Sequence, residues 1–218
     1  PDLPDLVQTK DYAILTSEQA RLYQSGVDGM LRAVDESEGT QRRGHVLAGL
    51  IKLKQVCNHP MNLAGSDDEP AAIGADGPPQ SARSGKTMRL MEMLEEVVAA
   101  GDKALIFTQF RRMGHLLSAM IAHDLDTQTL FLHGGTPRTK RDELIARFQS
   151  DDKTAPIFIL SLRAGGVGLN LTAANHVFHF DRWWNPAVEN QAPDRAFRIG
   201  QKRTVHVHKL ISRGTLEE

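Results

Sequence analysis

After residue 84 the chain alternates short, largely apolar runs with segments of helical period, and this pattern narrows the fold more than any other feature. The runs are Ala104-Leu105-Ile106-Phe107, Thr129-Leu130-Phe131-Leu132, Ile157-Phe158-Ile159-Leu160, His176-Val177-Phe178-His179-Phe180 and Thr204 to Ile211. Each is short for a helix, and most place apolar groups on both sides of a strand, as burial of both faces requires. Between them, Met88, Leu90, Met91, Leu94, Val97 and Val98 mark a helix that stops at Gly101. Met113 to Ile121 is a second, and Pro137 opens a third that runs to about Phe148. A parallel sheet needs such crossovers and binds ligands at the carboxyl ends of its strands. Those ends carry Thr108-Gln109, His133-Gly134-Gly135, Ser161 through Gly168, and Asp181 through Asn185. The expected class is therefore α/β, a parallel sheet with helices on both faces and a site along one edge.

Upstream the pattern is different. Thr16-Ser17-Glu18-Gln19 reads as a capped helix start, followed by Leu22, Val27, Met30, Leu31 and Val34 on one face. A second helix is expected from about Gly44 to Cys57, ended by Pro60. Residues 62–83 are rich in Gly, Ala, Pro, Ser and Asp and read as a flexible linker. The organisation expected is a helical extension over residues 1–61, the linker over 62–83, and the α/β unit over 84–218.

At 218 residues, with 40% hydrophobic, the chain can build a core without disulfide or metal. Cys57 is the single cysteine, so no internal disulfide forms. No apolar run approaches the roughly 20 residues of a membrane span. The start, Pro1-Asp2-Leu3-Pro4-Asp5, has neither the basic nor the apolar region of a signal peptide, and its lack of Met suggests a piece of something longer. Net charge is −1, with 8 Lys+Arg against 12 Asp+Glu in residues 1–83 and 18 against 15 thereafter. Any basic surface must be local.

Several motifs invite chemistry. Ser84-Gly85-Lys86-Thr87 suggests a phosphate loop, but Gln80 stands where the first glycine belongs and no apolar strand precedes it. Ser84 as a helix cap accounts for it better. Gly165-Gly166-Val167-Gly168 half resembles a dinucleotide fingerprint, with Leu171 where the third glycine belongs. A tight turn is the plain alternative. Gln191, Asp194, Arg195 and Arg198 stand at i, i+3, i+4 and i+7 and would share a helical face. Two converging arginines suit a polyphosphate, because guanidinium pairs bidentately with anionic oxygens; a solvated charged face is the alternative. Trp183-Trp184 suits either core packing or stacking on bases. His176 and His179 face opposite sides of a strand, and His206 and His208 lack a nearby acidic partner, so no metal site is expected.

Taken together these segments resemble the Swi/Snf-related (RapA-type) superfamily-two helicase-like ATPases. Ile159 through Thr172, continued by Asp181 through Pro186, is similar to their motif V, and Gln191 through Gln201 to their motif VI. Ile106 to Phe110 resembles motif IV, His133 to Thr136 the motif after it, and Leu53 to Pro60 the helix before the second motor lobe. The resemblance implies a RecA-like second lobe of a double-stranded-DNA-dependent ATPase, with residues 1–61 holding the end of the first lobe and a helical protrusion. ATP with Mg²⁺ would be bound mainly by the first lobe, whose phosphate loop and acidic box this sequence lacks, so residues 1–218 alone are expected to hydrolyse no ATP.

By position, Arg195 and Arg198 look like arginine fingers, with Gln191 and Asp194 placing them and Gly166 and Gly168 allowing close approach to nucleotide or the facing lobe. Thr108, Gln109, His133, Gly134, Ser161, Arg163 and Trp184 look like DNA contacts. Pro193 departs from the family pattern; it can break the helix and open a new turn before the arginines. Phe197 replaces a histidine often found there. The implied partners are duplex DNA, the first lobe and a protein–DNA complex to be remodelled, in the nucleoid of a bacterium or the nucleus of a eukaryote. Two other functions compete with this one. A non-catalytic DNA- or protein-binding module would predict damaged arginines, and a nucleotide-cofactor enzyme would predict a complete glycine fingerprint.

Overall fold

The computed structural model describes residues 3–65, 77, 79–161 and 169–218. In chain order the elements are β1 (Leu6–Ala13), α1 (Ser17–Asp35), α2 (Gly39–Asn58), α3 (Gly85–Ala99), β2 (Ala104–Thr108) and α4 (Arg111–Leu125). There follow β3 (Thr129–Leu132), α5 (Arg138–Gln149), β4 (Ile157–Ser161), β5 (His176–His179), α6 (Pro186–Gln191) and β6 (Val205–Ser212). Short 3-10 turns cover Pro60–Leu63, Ser81–Arg83 and Pro193–Arg195. The six strands form one sheet in the order β1-β6-β5-β2-β4-β3, every described pair parallel.

Alternation along the central strands divides the core in two. Ile106, Ile159 and Phe178 face α3 and α4, where Leu90, Leu94, Met113 and Leu117 are buried. Leu105, Phe107, Phe158 and Leu160 face the other way, against Phe148 of α5, Ala192 and Ala196. Helices thus cover both faces of a RecA-like parallel sheet.

The sheet does not start at residue 84. β1, from the segment expected to be a helical extension, runs beside β6 in register from Leu6↔Val205 to Ala13↔Ser212. Only Ala13 of β1 is buried, so this edge strand has no apolar run to announce it. α2 begins at Gly39, earlier than its apolar residues suggest, because its first turns lie exposed. The expected linker keeps ordered ends: His59 Nε2 meets the carbonyl of Gln80 at 2.9 Å. Its middle, residues 66–76 and 78, lies outside the described residues.

Gln19 locks the first helices to α3. Its carboxamide completes a capping box with Thr16, donates to the carbonyls of Val56 (2.8 Å) and Cys57 (3.2 Å), and accepts from Gly85 N at 3.1 Å. At Gly85 the backbone passes so close to Ile14 that a Cβ would stand 2.0 Å from its carbonyl oxygen.

Candidate functional site

Beneath the carboxyl edge of the sheet lies a buried charged network that no single segment of sequence announces. Lys86 is fully buried, and its Nζ donates to Glu217 Oε1 (2.6 Å), the Phe180 carbonyl (2.9 Å) and Asn58 Oδ1 (3.1 Å). Asp181, also fully buried, accepts from Thr108 Oγ1 (2.6 Å), Gln109 N (2.9 Å) and Asn58 Nδ2 (3.0 Å). Burial raises the Asp181 pKa, while the Lys86 charge and these hydrogen bonds oppose the rise. Ser84 caps α3, its Oγ accepting from Thr87 N at 3.4 Å and donating to the Asn58 carbonyl at 2.7 Å. Ser84-Gly85-Lys86-Thr87 is therefore a helix start with an ion-paired lysine. Thr108 is buried with its hydroxyl committed to Asp181, so its side chain reaches no surface where a DNA phosphate could be met. Ser161, at the end of β4, is buried as well.

The network supports a loop, Asp181 to Asn185, that carries Trp184 outward. Trp184 is 52% exposed, and Lys54 Nζ lies 4.0 Å from the centre of its ring. Lys54 and Gln109 both donate to the carbonyl of Arg182. Gln109, expected to face DNA, is thus engaged in holding the loop. Arg182 pairs with Glu189 at 2.8 Å, and Lys209 reaches the same carboxylate at 3.2 Å. Asn185 Oδ1 accepts from Ala187 N at 3.0 Å and Pro186 occupies the first turn of α6, so the loop ends in a firm helix start.

The four residues of the second polar cluster do not share one helical face. α6 ends at Gln191, and Pro193 opens the turn Pro193–Arg195. Proline has no amide to continue the ladder and its ring displaces the preceding turn. Gln191, Asp194 and Arg198 are exposed and Arg195 is half-buried. The Arg195 guanidinium sits 6.0 Å from the centre of the Phe107 ring. Burial and the neighbouring Arg198 charge lower the Arg195 pKa, and Asp194 opposes them. Arg195 O accepts from Leu171 N at 2.9 Å, and an Arg198 Nη reaches the Leu169 carbonyl at 3.3 Å. Both arginines are thereby tied to the exit of the glycine loop. That loop, with the expected Arg163, Gly166 and Gly168, lies outside the described residues.

Gln201 holds this corner from below. Its Nε2 donates to the carbonyls of Thr172 (3.0 Å), Ala174 (2.8 Å) and Ala196 (3.0 Å), and its Oε1 accepts from Lys202 N and Arg203 N. At the end of β3, His133 N donates to Thr136 Oγ1 (3.1 Å), and His133 Nδ1 accepts from Gly135 N (3.1 Å). Gly134 is exposed at the tip, and burial together with Arg111 lowers the His133 pKa.

Away from this edge, His176, His206 and His208 stack, and acidic partners arrive from distant segments. Asp102 meets His176 at 3.1 Å and Asp11 meets His208 at 3.4 Å. Among the described residues no group of three or more such side chains is arranged to hold a metal ion. Sequence reasoning missed Lys54, Asn58, Lys86, Asp181, Gln201 and Glu217 as supporting residues. All but Glu217 lie inside recognisable motifs, but nothing in their charges and amides hinted that they point inward.

Residues 85–200 match the family described as the helicase conserved C-terminal domain. The chain belongs to this family. Its relatives place it among the SWI2/SNF2 ATPases. A solved Sulfolobus solfataricus SWI2/SNF2 ATPase C-terminal domain is 42% identical over 98% of this chain and 82% of that one, with a TM-score of 0.78. The Sulfolobus solfataricus SWI2/SNF2 ATPase core in complex with dsDNA is 44% identical over 99% of this chain and 43% of that one, with a TM-score of 0.81. The human DNA excision repair protein ERCC-6 is 35% identical over 99% of this chain and 14% of its own length. YwqA of Bacillus subtilis is 43% identical over the whole chain and 22% of its own length. The chain thus spans about a fifth or less of these curated relatives. Among the described residues no helix is long and apolar enough to cross a membrane.

Proposed function

We propose that this chain is the second motor lobe of a double-stranded-DNA-dependent ATPase that translocates along duplex DNA and remodels protein–DNA complexes. The observation that carries this reading is the pair Arg195 and Arg198. Arg195 ends the turn that Pro193 opens and Arg198 follows three residues on; the Arg195 carbonyl accepts from Leu171 N and the Arg198 guanidinium reaches the Leu169 carbonyl, so both residues stand at the exit of the glycine loop. Two guanidinium groups at that position suit the oxygens of a triphosphate.

ATP bound between the lobes would draw them together and supply the phosphoanhydride to be hydrolysed. In this chain Arg195 and Arg198 act as fingers that meet charge developing on the terminal phosphate, the half-buried Arg195 with less solvent to screen it. Asp194 orients Arg195, Gln191 faces the other lobe, and Gly166 and Gly168 let the backbone approach. Gly134 with His133, Arg163 and Trp184 meet duplex DNA, while Thr108, Gln109 and Ser161 act from behind them. The test compares this chain alone with the protein that includes its upstream lobe. The chain alone should hydrolyse no ATP, and the longer protein should show turnover stimulated by duplex DNA. Substantial turnover by the chain alone refutes the assignment of roles. Its DNA binding should be weak and fall steeply with salt, and affinity unchanged at high salt would contradict the phosphate contacts.

A further inference from the structure

Trp184 stands exposed on the edge read above as DNA-facing, and directly behind it is a lysine that cannot itself reach DNA. Lys54 is only 2% exposed. Its Nζ donates to the Arg182 carbonyl and lies 4.0 Å from the centre of the Trp184 ring. Four residues on, and so on the same face of α2, Asn58 Nδ2 donates to Asp181 Oδ2 at 3.0 Å. The last turn of α2 therefore grips two consecutive residues of the loop that presents Trp184. From the sheet side, Gln109 Nε2 donates to the same Arg182 carbonyl. Burial lowers the Lys54 pKa, and Asp181, Glu217 and Glu189 oppose this while Lys86 adds to it. An ammonium under an indole draws on the negative face of the ring, more strongly when water is excluded.

We propose that Lys54 is a positioning residue: it fixes the orientation in which Trp184 is offered to nucleic acid and joins α2 to the DNA-facing loop. It rests on the reading of this edge given above. Lys54 carries no phosphate contact of its own. Its cation works through the ring, so its loss should loosen the indole without changing the number of phosphates neutralised. An arginine can replace it, since guanidinium also stacks on an aromatic face and donates to a carbonyl.

The test uses this chain with Trp183→Phe, which leaves Trp184 as the sole tryptophan. Lys54→Met should lower the fluorescence anisotropy of Trp184 and raise its quenching by iodide, and Lys54→Arg should restore both. With a short duplex at low salt, Lys54→Met should weaken binding about ten-fold. The slope of affinity against salt should stay constant, and Lys54→Met should add nothing to Trp184→Ala. Unchanged anisotropy and quenching in Lys54→Met overturn the positioning role. A salt slope reduced by about one identifies Lys54 as a phosphate contact and overturns it equally. If Trp184→Ala leaves duplex affinity unchanged, the DNA-facing reading of the edge fails and takes the nucleic-acid role with it, whatever the anisotropy shows.

Discussion

Lys86→Met isolates the buried network under the carboxyl edge. The ammonium makes three hydrogen bonds, to Glu217 at 2.6 Å, the Phe180 carbonyl at 2.9 Å and Asn58 Oδ1 at 3.1 Å, with no exposure of either side chain of the ion pair. Methionine keeps most of the stem and deletes the charge, leaving the Glu217 carboxylate buried and uncompensated. Breaking one side of such a pair costs about 3–5 kcal/mol. For a domain of this size that lowers Tm by roughly 10 °C. Urea unfolding followed by circular dichroism measures the loss. Lys86→Met with Glu217→Gln should recover part of it, because the stranded charge is removed as well. The variant should also raise the Asp181 pKa further, since Lys86 is the largest influence opposing its burial. A loss below about 1 kcal/mol would refute the network, and would reopen a phosphate-binding role for Ser84 to Thr87.

Two further outcomes are expected from the same structure. Burial holds His59 and His179 at about 4, and lowers His176 and His208 in the same direction. The unfolded chain protonates these rings near 6.5, so stability is full above that pH and falls as pH drops towards 4, by up to about 1.4 kcal/mol per unit for each histidine. Urea midpoints equal at pH 7.5 and pH 5 would contradict this. Gly85→Ala should cost more than about 3 kcal/mol, because its Cβ would meet the Ile14 carbonyl oxygen at 2.0 Å. Gly49→Ala should cost less than Gly85→Ala, because its Cβ meets Cγ and Sδ of Met30 at 2.4 Å and Met30 Cβ at 2.9 Å, in a side chain that can partly turn aside where a backbone carbonyl cannot. Thermal melts that reverse this order would overturn the packing described at both sites.

Much of the fold was legible because its cause is local. The central strands β2 and β4 are buried throughout, so their apolar runs could mean little else. The cap at Ser84 was readable for the same reason, and the first helix start to within one residue, Thr16 or Ser17, since a cap and its amide stand three residues apart. β1 was not legible, because an exposed edge strand needs no apolar face. The spacing of Gln191, Asp194, Arg195 and Arg198 suggested a common face, but Pro193 itself announced the break that the structure shows, where one missing amide outweighs a helical spacing. The network of Asn58, Lys86, Thr108, Asp181 and Glu217 was beyond reach, because five separate segments supply it and each residue alone passes for a surface group. Thr108 and Gln109 carry the consequence: the Thr108 hydroxyl is committed to Asp181 and the Gln109 amide to the Arg182 carbonyl, which their place at a strand end did not reveal.

The central claim is that Arg195 and Arg198 complete an ATPase site that begins in the upstream lobe. Steady-state ATP hydrolysis with saturating duplex DNA, by the protein containing both lobes, tests it most directly. Arg195→Ala and Arg198→Ala should each lower kcat by about 10³-fold while both variants unfold within about 1 kcal/mol of the unaltered protein. A folded Arg198→Ala protein that keeps its full duplex-stimulated rate would contradict the account.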